Sequence, residues 1–435
     1  MNYELSPSSV WSFRSDFEIV RLPQNDGRDT VTRSPGRLRV LHLATVPFRP
    51  EEGVSHAVGS LASDLVAVDS HLAADRPVGA GFVGLHELPT WHPEKLIRSR
   101  DLERVVRDVQ PDVVHIHGGI LVSTLALARA LRGSVIVASV YQLLPPDRSE
   151  VGLRNWGDAR RSSVRPGRIL ASGLVGLPLA RRLLKSGRIA AVCTPDPRVQ
   201  AALENYGPVV MARGGGTVSD LRAVWNESCT IGFAGRAEPG RGVEELVEAI
   251  EILRKDIPSA RLRLMLLPGP AGEKWAAEHA NNDAIEISIG VRPNLAADLA
   301  ACQLVALPFR IPATITPPLV GSEAMAVGTP LVARRLSCTT PLVKHGVNGM
   351  LTEDSSAASL ADAMRACLSD RKTWESMSCA ALRTIDTEWS WKGAASATRG
   401  AYELALSRAQ VGSPINRLSL NLVRKIEPSI QGESK

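Results

Sequence analysis

The chain has 435 residues, of which 44% are hydrophobic, 22% charged and only 4% aromatic, with a formal net charge of +6. This length fits two or three domains with ample core, and the composition is that of an ordinary soluble protein. So few aromatic residues argue against the base-stacking surfaces used on single-stranded nucleic acid, and no nucleic-acid partner is expected.

Residues 1–36 are polar, rich in Ser, Asp and Arg, and without period, which predicts a flexible N-terminal extension. They hold no apolar run of the signal-peptide kind. Arg37–Thr45 (RLRVLHLAT) reads as a buried strand, followed by a loop with Pro47, Pro50 and Gly53. His56–Val66 then repeats its apolar residues at helical spacing. Strand, Gly-containing loop and helix form the opening unit of a doubly wound α/β domain, in which Gly53 could let a phosphate approach the backbone. Asp101–Val109 predicts a short amphipathic helix and Pro111–Gly119 (PDVVHIHGG) a strand. His115 and His117 alternate with apolar residues and so share a face. His117 lies at the carboxyl end of the strand, where ligands of such sheets bind, and His115, further back, reads as structural. Leu121–Leu131 predicts a helix, and Ser134–Val140 a strand ending at Tyr141 and Gln142.

Val151–Ala190 carries nine Lys and Arg residues against one acid, Asp158. It reads either as a solvated surface or as a steering surface for an anionic acceptor or lipid headgroups. Its longest small-apolar stretch, Ile169–Ala180, is shorter than the ~20 residues of a membrane helix. Ile189–Thr194 (strand) and Pro195–Tyr206 (helix) close the first unit, expected to span 37–212, and Arg213–Thr217 opens a linker.

A second unit, expected over 228–390, starts with a strand at Cys229–Ala234 and a turn, Gly235–Gly242, that carries Arg236 and Arg241. The alternation continues through Val243–Lys255 (helix), Leu262–Leu267, Gly269–Glu278 (helix), Ile285–Ile289, Asn294–Cys302 (helix) and Leu304–Leu307. Thr316–Val332 predicts a helix capped by Thr316, with Pro317 first, Glu323 about two turns in, and Gly328 closing it. Such a helix N-terminus favours an anion such as a phosphate. Helices over Ala357–Leu368, Trp374–Thr384 and Ala394–Ser407 follow, and 411–435 reads as a loose tail. The six cysteines include no C-x-x-C pair, which fits reduced thiols in a cytoplasmic protein.

With these motifs in order, the chain resembles the retaining glycosyltransferases of the GT-B fold, family 4, the glycogen-synthase-like group. That resemblance implies an α/β protein of two Rossmann-like domains facing across a cleft. PDVVHIHGG is similar to the strand whose second histidine, here His117, contacts the donor sugar. FAGRAEPGRG resembles the family's G-R-x-x-x-x-K-G turn, whose two basic residues hold the donor diphosphate, here Arg236 and Arg241. SEAMAVGTPLVA resembles the segment whose glutamate, here Glu323, takes the ribose hydroxyls, with Leu319 also at the donor. Gly53 falls where a backbone amide meets the phosphate. HGVNGMLTE and the WSW before the last helix also match, and in this family that helix, 391–410, crosses back to the N-terminal domain.

The resemblance implies a retaining, metal-independent transfer of a sugar from a nucleotide-diphosphate sugar, UDP being the commonest, with no further cofactor. The acceptor would be a small or lipid-linked molecule, with an anionic one and a peripheral membrane contact through 151–190 as expectations from the basic run. There is no D-x-D motif, and two arginines with a helix N-terminus can stabilise a leaving diphosphate. Two departures stand out. Ile315 takes the place of the family's first glutamate, beside Pro317 and Pro318, which lack N–H groups, and Tyr141-Gln142 stand where a histidine is common. Both touch sugar recognition, which points to an altered donor sugar. The rival readings are a nucleotide-sugar epimerase of the same fold and a non-catalytic partner or scaffold.

Overall fold

The computed structural model describes residues 36–44, 48–49, 52–88, 100–118, 131, 133–142, 150, 172–226, 229–279, 281–312 and 315–411. The N-terminal extension, the helix expected over 121–131, most of the basic run and the C-terminal tail lie outside or largely outside them. Among the described residues the chain forms two parallel sheets.

The first sheet has seven strands in the order β3-β2-β1-β4-β5-β6-β7. They are β1 (Leu38–Ala44), β2 (Val68–Ala74), β3 (Gly84–Glu87), β4 (Val113–Gly118), β5 (Ile136–Val140), β6 (Ala191–Thr194) and β7 (Val209–Met211). Helices α1 (Gly53–Asp64), α2 (Arg100–Val109), α3 (Leu177–Lys185) and α4 (Pro197–Leu203) cover its two faces. The faces follow from the two-residue period of a strand. Val40 and Ala44 point into one core with α1, and Leu41 and Leu43 into the other with α2, α3 and α4.

The second sheet has six strands in the order β10-β9-β8-β11-β12-β13. Its elements are β8 (Thr230–Gly235), α5 (Val243–Leu253), β9 (Arg261–Leu266), α6 (Pro270–Glu278), β10 (Ile285–Ile289), α7 (Leu295–Ala300), β11 (Leu304–Leu307), α8 (Leu319–Ala326), β12 (Leu331–Arg334), β13 (Gly349–Thr352), α9 (Ala357–Cys367) and α10 (Arg371–Glu388). A last helix, α11 (Trp391–Val411), packs on the first domain, where Trp391, Ala394, Ala401, Tyr402 and Ala405 join the core beneath α1.

The connection between the domains, 212–226, is pinned rather than slack. Ser219 and Ala223 donate their N–H groups to the carbonyls of Ala326 and Val327, and Ser322 Oγ donates to the Gly215 carbonyl at 2.6 Å. Gly214 is required there by close approach: a Cβ would lie 2.2 Å from the Trp391 ring.

In each sheet the strand order reverses once, between β1 and β4 and between β8 and β11, and ligands of open α/β sheets bind outside the carboxyl ends at such a point. The loop after β1 leads to Gly53. The loop after β8 carries Arg236 and Arg241, and that after β11 leads to Glu323.

The structure corrects the reading of that last stretch. Helix α8 starts at Leu319, with Pro318 at its N-cap position and no side-chain cap. Thr316 does not cap the helix: Pro318 offers its hydroxyl no N–H, and that hydroxyl has no hydrogen-bond partner among the described residues. Its side chain is buried, and its N–H donates instead to the Tyr141 carbonyl of the first domain at 3.0 Å. Glu323 is therefore little more than one turn into the helix. Gly328 closes it as expected, at φ +84°.

Candidate functional site

The cleft between the two switch points is built from three short segments. The first is the start of α1. A Cβ on Gly53 would lie 3.3 Å from Ile315 Cδ1 and 3.8 Å from Leu319 Cδ1, so the N-terminus of α1 sits directly against the loop and first turn of α8. The first N–H groups of a helix have no partner within it, which leaves those of Leu319 and Val320 open at the end of α8. Pro317 and Pro318 contribute none.

The second segment is the turn after β8. It closes with Gly242 at φ +71°, where a Cβ would lie 2.0 Å from the Pro308 carbonyl oxygen. Only glycine permits the turn to press against the end of β11 in this way. The Arg310 N–H donates to the Gly240 carbonyl at 3.0 Å and fixes the same contact. The Arg241 guanidinium lies 5.0 Å above the Phe309 ring. Burial pulls the pKa of Arg241 down, opposed first by the carboxylate of Glu238 and also by that of Glu52. Arg236 forms an ion pair with Glu52, at the N-cap position of α1.

The third segment is α8 itself. Glu323 keeps 21% of its side chain exposed, and its Oε1 lies 3.4 Å from His56 Nδ1 on α1. Burial raises its pKa, partly offset by His56. Gly53, Leu319, Arg236 and Glu323 thus meet around the first turn of α1, and Arg241 lies on the same turn as Arg236.

His117 is placed differently from the expectation of a sugar contact. It is fully buried, with Nε2 2.9 Å from His42 Nδ1 and Nδ1 2.9 Å from the Tyr141 hydroxyl. To reach a sugar the ring would have to leave both partners. His115 is structural, as read from sequence: Nδ1 meets the Tyr402 hydroxyl at 2.6 Å and Nε2 the Ser139 hydroxyl at 2.8 Å. His42 Nε2 meets the Ser70 hydroxyl at 3.3 Å. The result is a polar band across β2, β1, β4 and β5, sealed by α11. Burial holds the three rings neutral, lowering the pKa of His42 to about 3 and those of His115 and His117 well below 6.5. One nitrogen from each ring lies within 4.8 Å of the others, a spacing open to a metal ion. All six ring nitrogens, however, already face a hydrogen-bond partner, so the donor set fits a closed network better than a metal centre.

Sequence reasoning missed Glu52 and His56. Both sit one helical turn apart on α1, and their partners, Arg236 and Glu323, come from the other domain, so no local pattern could have marked them. Among the described residues no helix is long and apolar enough to cross a membrane.

Residues 228–370 match the family model described as "Glycosyl transferases group 1". Two curated D-inositol 3-phosphate glycosyltransferases are similar in sequence. The protein from Corynebacterium efficiens is 32% identical over 33% of this chain and 35% of its own length. That from Pseudarthrobacter chlorophenolicus is 33% identical over 40% of this chain and 43% of its own. The aligned part of the chain therefore spans less than half of either relative. Sucrose-phosphate synthase from Thermosynechococcus elongatus superposes with a TM-score of 0.63 at 16% identity, covering 86% of this chain and 100% of that one. HepE from Anabaena, solved in complex with UDP and glucose, gives 0.59 at 16% identity, covering 84% and 100%. These likenesses establish the GT-B fold, and the sequence match falls on the domain that carries Arg236, Arg241 and Glu323. The similarity to the group 1 glycosyltransferases thus rests on residues 228–370, within the second domain.

Proposed function

We propose that this chain transfers a sugar from a nucleoside-diphosphate sugar, with UDP as the nucleotide, to an acceptor with retention of anomeric configuration. The observation that carries the reading is the convergence of Arg236, Arg241, Glu323 and the N-terminus of α1 on one cleft at both switch points. As the bond from the sugar C1 to the β-phosphate oxygen breaks, the diphosphate gains negative charge. Arg236 and Arg241 supply the positive charge that stabilises it, without a divalent ion. Each charge-assisted hydrogen bond contributes roughly 1.5–3 kcal/mol. Glu323 accepts from the ribose hydroxyls, and the backbone N–H groups at Gly53 and Leu319 approach the phosphate and sugar. The acceptor oxygen bonds to C1 on the face the phosphate leaves, and its proton passes to the departing phosphate oxygen, so no protein base is needed. His117 acts from behind the site, holding Tyr141 and through it the donor loop.

Ile315, packed against Gly53, leaves the sugar pocket apolar where a carboxylate would take hydroxyls. A donor sugar lacking or altering a hydroxyl suits it. The relatives named for D-inositol 3-phosphate act on a phosphorylated polyol, and the basic run 151–190 favours an acceptor of that charge, free or lipid-linked. Within its described part, Arg181 and Arg188 are tied to the carbonyls of Ala202 and Leu131, whereas Arg182 and Lys185 are exposed. Six free cysteines, five of them buried, fit the reducing cytoplasm.

The test is a titration of the purified protein with UDP, GDP, dTDP and ADP, with Arg236→Ala as control, followed by nucleotide release from the donor with and without acceptor. Selective binding lost in the variant, with release that requires acceptor, is the expected result. Release without acceptor dependence would favour an epimerase or hydrolase, and no binding at all a scaffold.

A further inference from the structure

The first turn of α1 enters the proposed donor site with two side chains that reach the other domain. Glu52 pairs with the Arg236 guanidinium. One turn on, His56 stands against Glu323 at 3.4 Å. Arg241 stands on the same turn as Arg236, and the Glu52 carboxylate favours its charged form. A nucleoside diphosphate would need the same protein atoms: its phosphates an anion's place at the arginines, its ribose hydroxyls the acceptor oxygens of Glu323.

Nothing in the local structure of α1 calls for this carboxylate. Glu52 occupies the N-cap position with φ −89° and ψ +131°, yet its side chain makes no capping hydrogen bond. The helix is started by its backbone, whose carbonyl accepts the His56 N–H at 3.0 Å. A short side chain such as Ser or Asp would serve the helix better there. With 42% of its side chain exposed, Glu52 is not held by packing either.

Building on the donor site argued above, we propose that Glu52 is a placeholder for the donor diphosphate: in the donor-free protein it neutralises the arginine turn and ties α1 to the second domain, and the incoming diphosphate displaces it. His56 plays the matching part for the ribose at Glu323. Displacement strands no charge. The released carboxylate is already half in solvent and turns out into water. Donor binding is then an exchange of one anion for another. It selects for a ligand that brings more charge than a single carboxylate, and it weakens binding relative to an uncovered pair of arginines.

Glu52→Gln tests this, because it keeps the size and an acceptor oxygen while removing the charge. UDP and inorganic pyrophosphate are titrated calorimetrically into the full-length wild-type, E52Q and R236A proteins at low and moderate salt, with melting curves to verify folding. E52Q is expected to bind both ligands about tenfold more tightly than wild type, with a steeper loss of affinity on adding salt, since the full charge of the arginines is then exposed. If E52Q binds no better than wild type while R236A still loses binding, the placeholder is overturned and the donor site stands. If neither wild type nor E52Q binds UDP or pyrophosphate, the donor site fails and the placeholder fails with it.

Discussion

Tyr141 and Thr316 are joined across the cleft by a backbone hydrogen bond, the Thr316 N–H donating to the Tyr141 carbonyl at 3.0 Å. The same tyrosine places its hydroxyl 2.9 Å from His117 Nδ1 in the buried band. One residue thus holds the loop before α8 with its backbone and the core of the first domain with its side chain. A second side-chain contact, from Gln142 Nε2 to the Pro312 carbonyl, backs it up. The loop that presents α8 is therefore positioned by polar groups wholly inside the other domain.

The far end of that band makes the first prediction. Tyr402→Phe removes the hydroxyl that meets His115 Nδ1 and leaves a buried ring nitrogen without its partner. The expected loss is about 1–3 kcal/mol, read as a lower urea midpoint with an unchanged slope. Because Tyr402 lies on α11, a wild-type midpoint would mean that the helix is held by its apolar contacts alone.

The band also sets an acid limit on stability. Burial, and secondarily His71, lowers the pKa of His42 to about 3, and burial lowers those of His115 and His117 well below 6.5. An unfolded imidazole titrates near 6.5, so below that pH the unfolded chain binds protons that the folded chain refuses. Stability is therefore full above about pH 7 and is lost as the pH falls toward the folded values. Denaturant titrations from pH 7 to pH 5 should show a decline, approaching about 1 kcal/mol per pH unit for each such ring once the unfolded form is protonated. A flat profile would mean that the rings take up protons without unfolding.

How much of this was legible in the sequence depended on where each residue found its partner. The apolar strands β4, β8 and β11 and the two-arginine turn were read close to their true bounds, because their patterns are local. Strands β2, β3, β7 and β13 were not read. In β2, Asp69, Ser70 and His71 interrupt the apolar period, yet all are buried, paired with Arg37, His42 and His86 respectively. A polar residue satisfied by a partner distant in sequence looks like a loop residue until that partner is known. The same holds for Glu52 and His56. The start of α8 was misplaced for a local reason that could have been weighed: two consecutive prolines defer the first N–H to Leu319. The shared face of His115 and His117 was legible from alternation, but not that the face lies beneath α11.

Arg241 separates charge from shape. Its guanidinium carbon lies 5.0 Å from the centre of the Phe309 ring, and lysine lacks the planar group that can stack there. Arg241→Lys should keep UDP affinity within about tenfold of wild type, whereas Arg241→Ala should lose roughly 10- to 100-fold, the range of one charge-assisted hydrogen bond. Calorimetric titration reads both. Equal losses would show that the planar, stacked group is what the site requires.

Gly242→Ala probes the turn without touching a charged group. The added methyl would meet the Pro308 carbonyl at 2.0 Å, in a backbone conformation that alanine adopts with strain. Neither atom is the end of a flexible side chain, so the turn itself must move. A destabilisation above about 2 kcal/mol is expected, together with loss of nucleotide binding because Arg236 and Arg241 ride on that turn. A stable variant with normal UDP affinity would show that the contact between β8 and β11 does not position the arginines.

Glu323 makes a case in which function and stability oppose each other. Burial raises its pKa, with His56 acting in the other direction, so the folded protein disfavours its charged form relative to the unfolded chain. The sign follows: the residue's contribution to stability is whole below the unfolded pKa and is lost as the pH rises through the folded one. At pH 7–8 an ionised Glu323 therefore costs stability, and Glu323→Gln should melt slightly higher than wild type. The amide is a weaker acceptor for ribose hydroxyls than a carboxylate, so UDP should bind the variant about tenfold less tightly. Pyrophosphate, which has no ribose, should bind it as it binds wild type. That split between the two ligands would assign Glu323 to the ribose and not to the phosphates. A variant that melts lower would instead show that its contact with His56 outweighs the cost of burial, and that this contact helps hold α8 and α1 together.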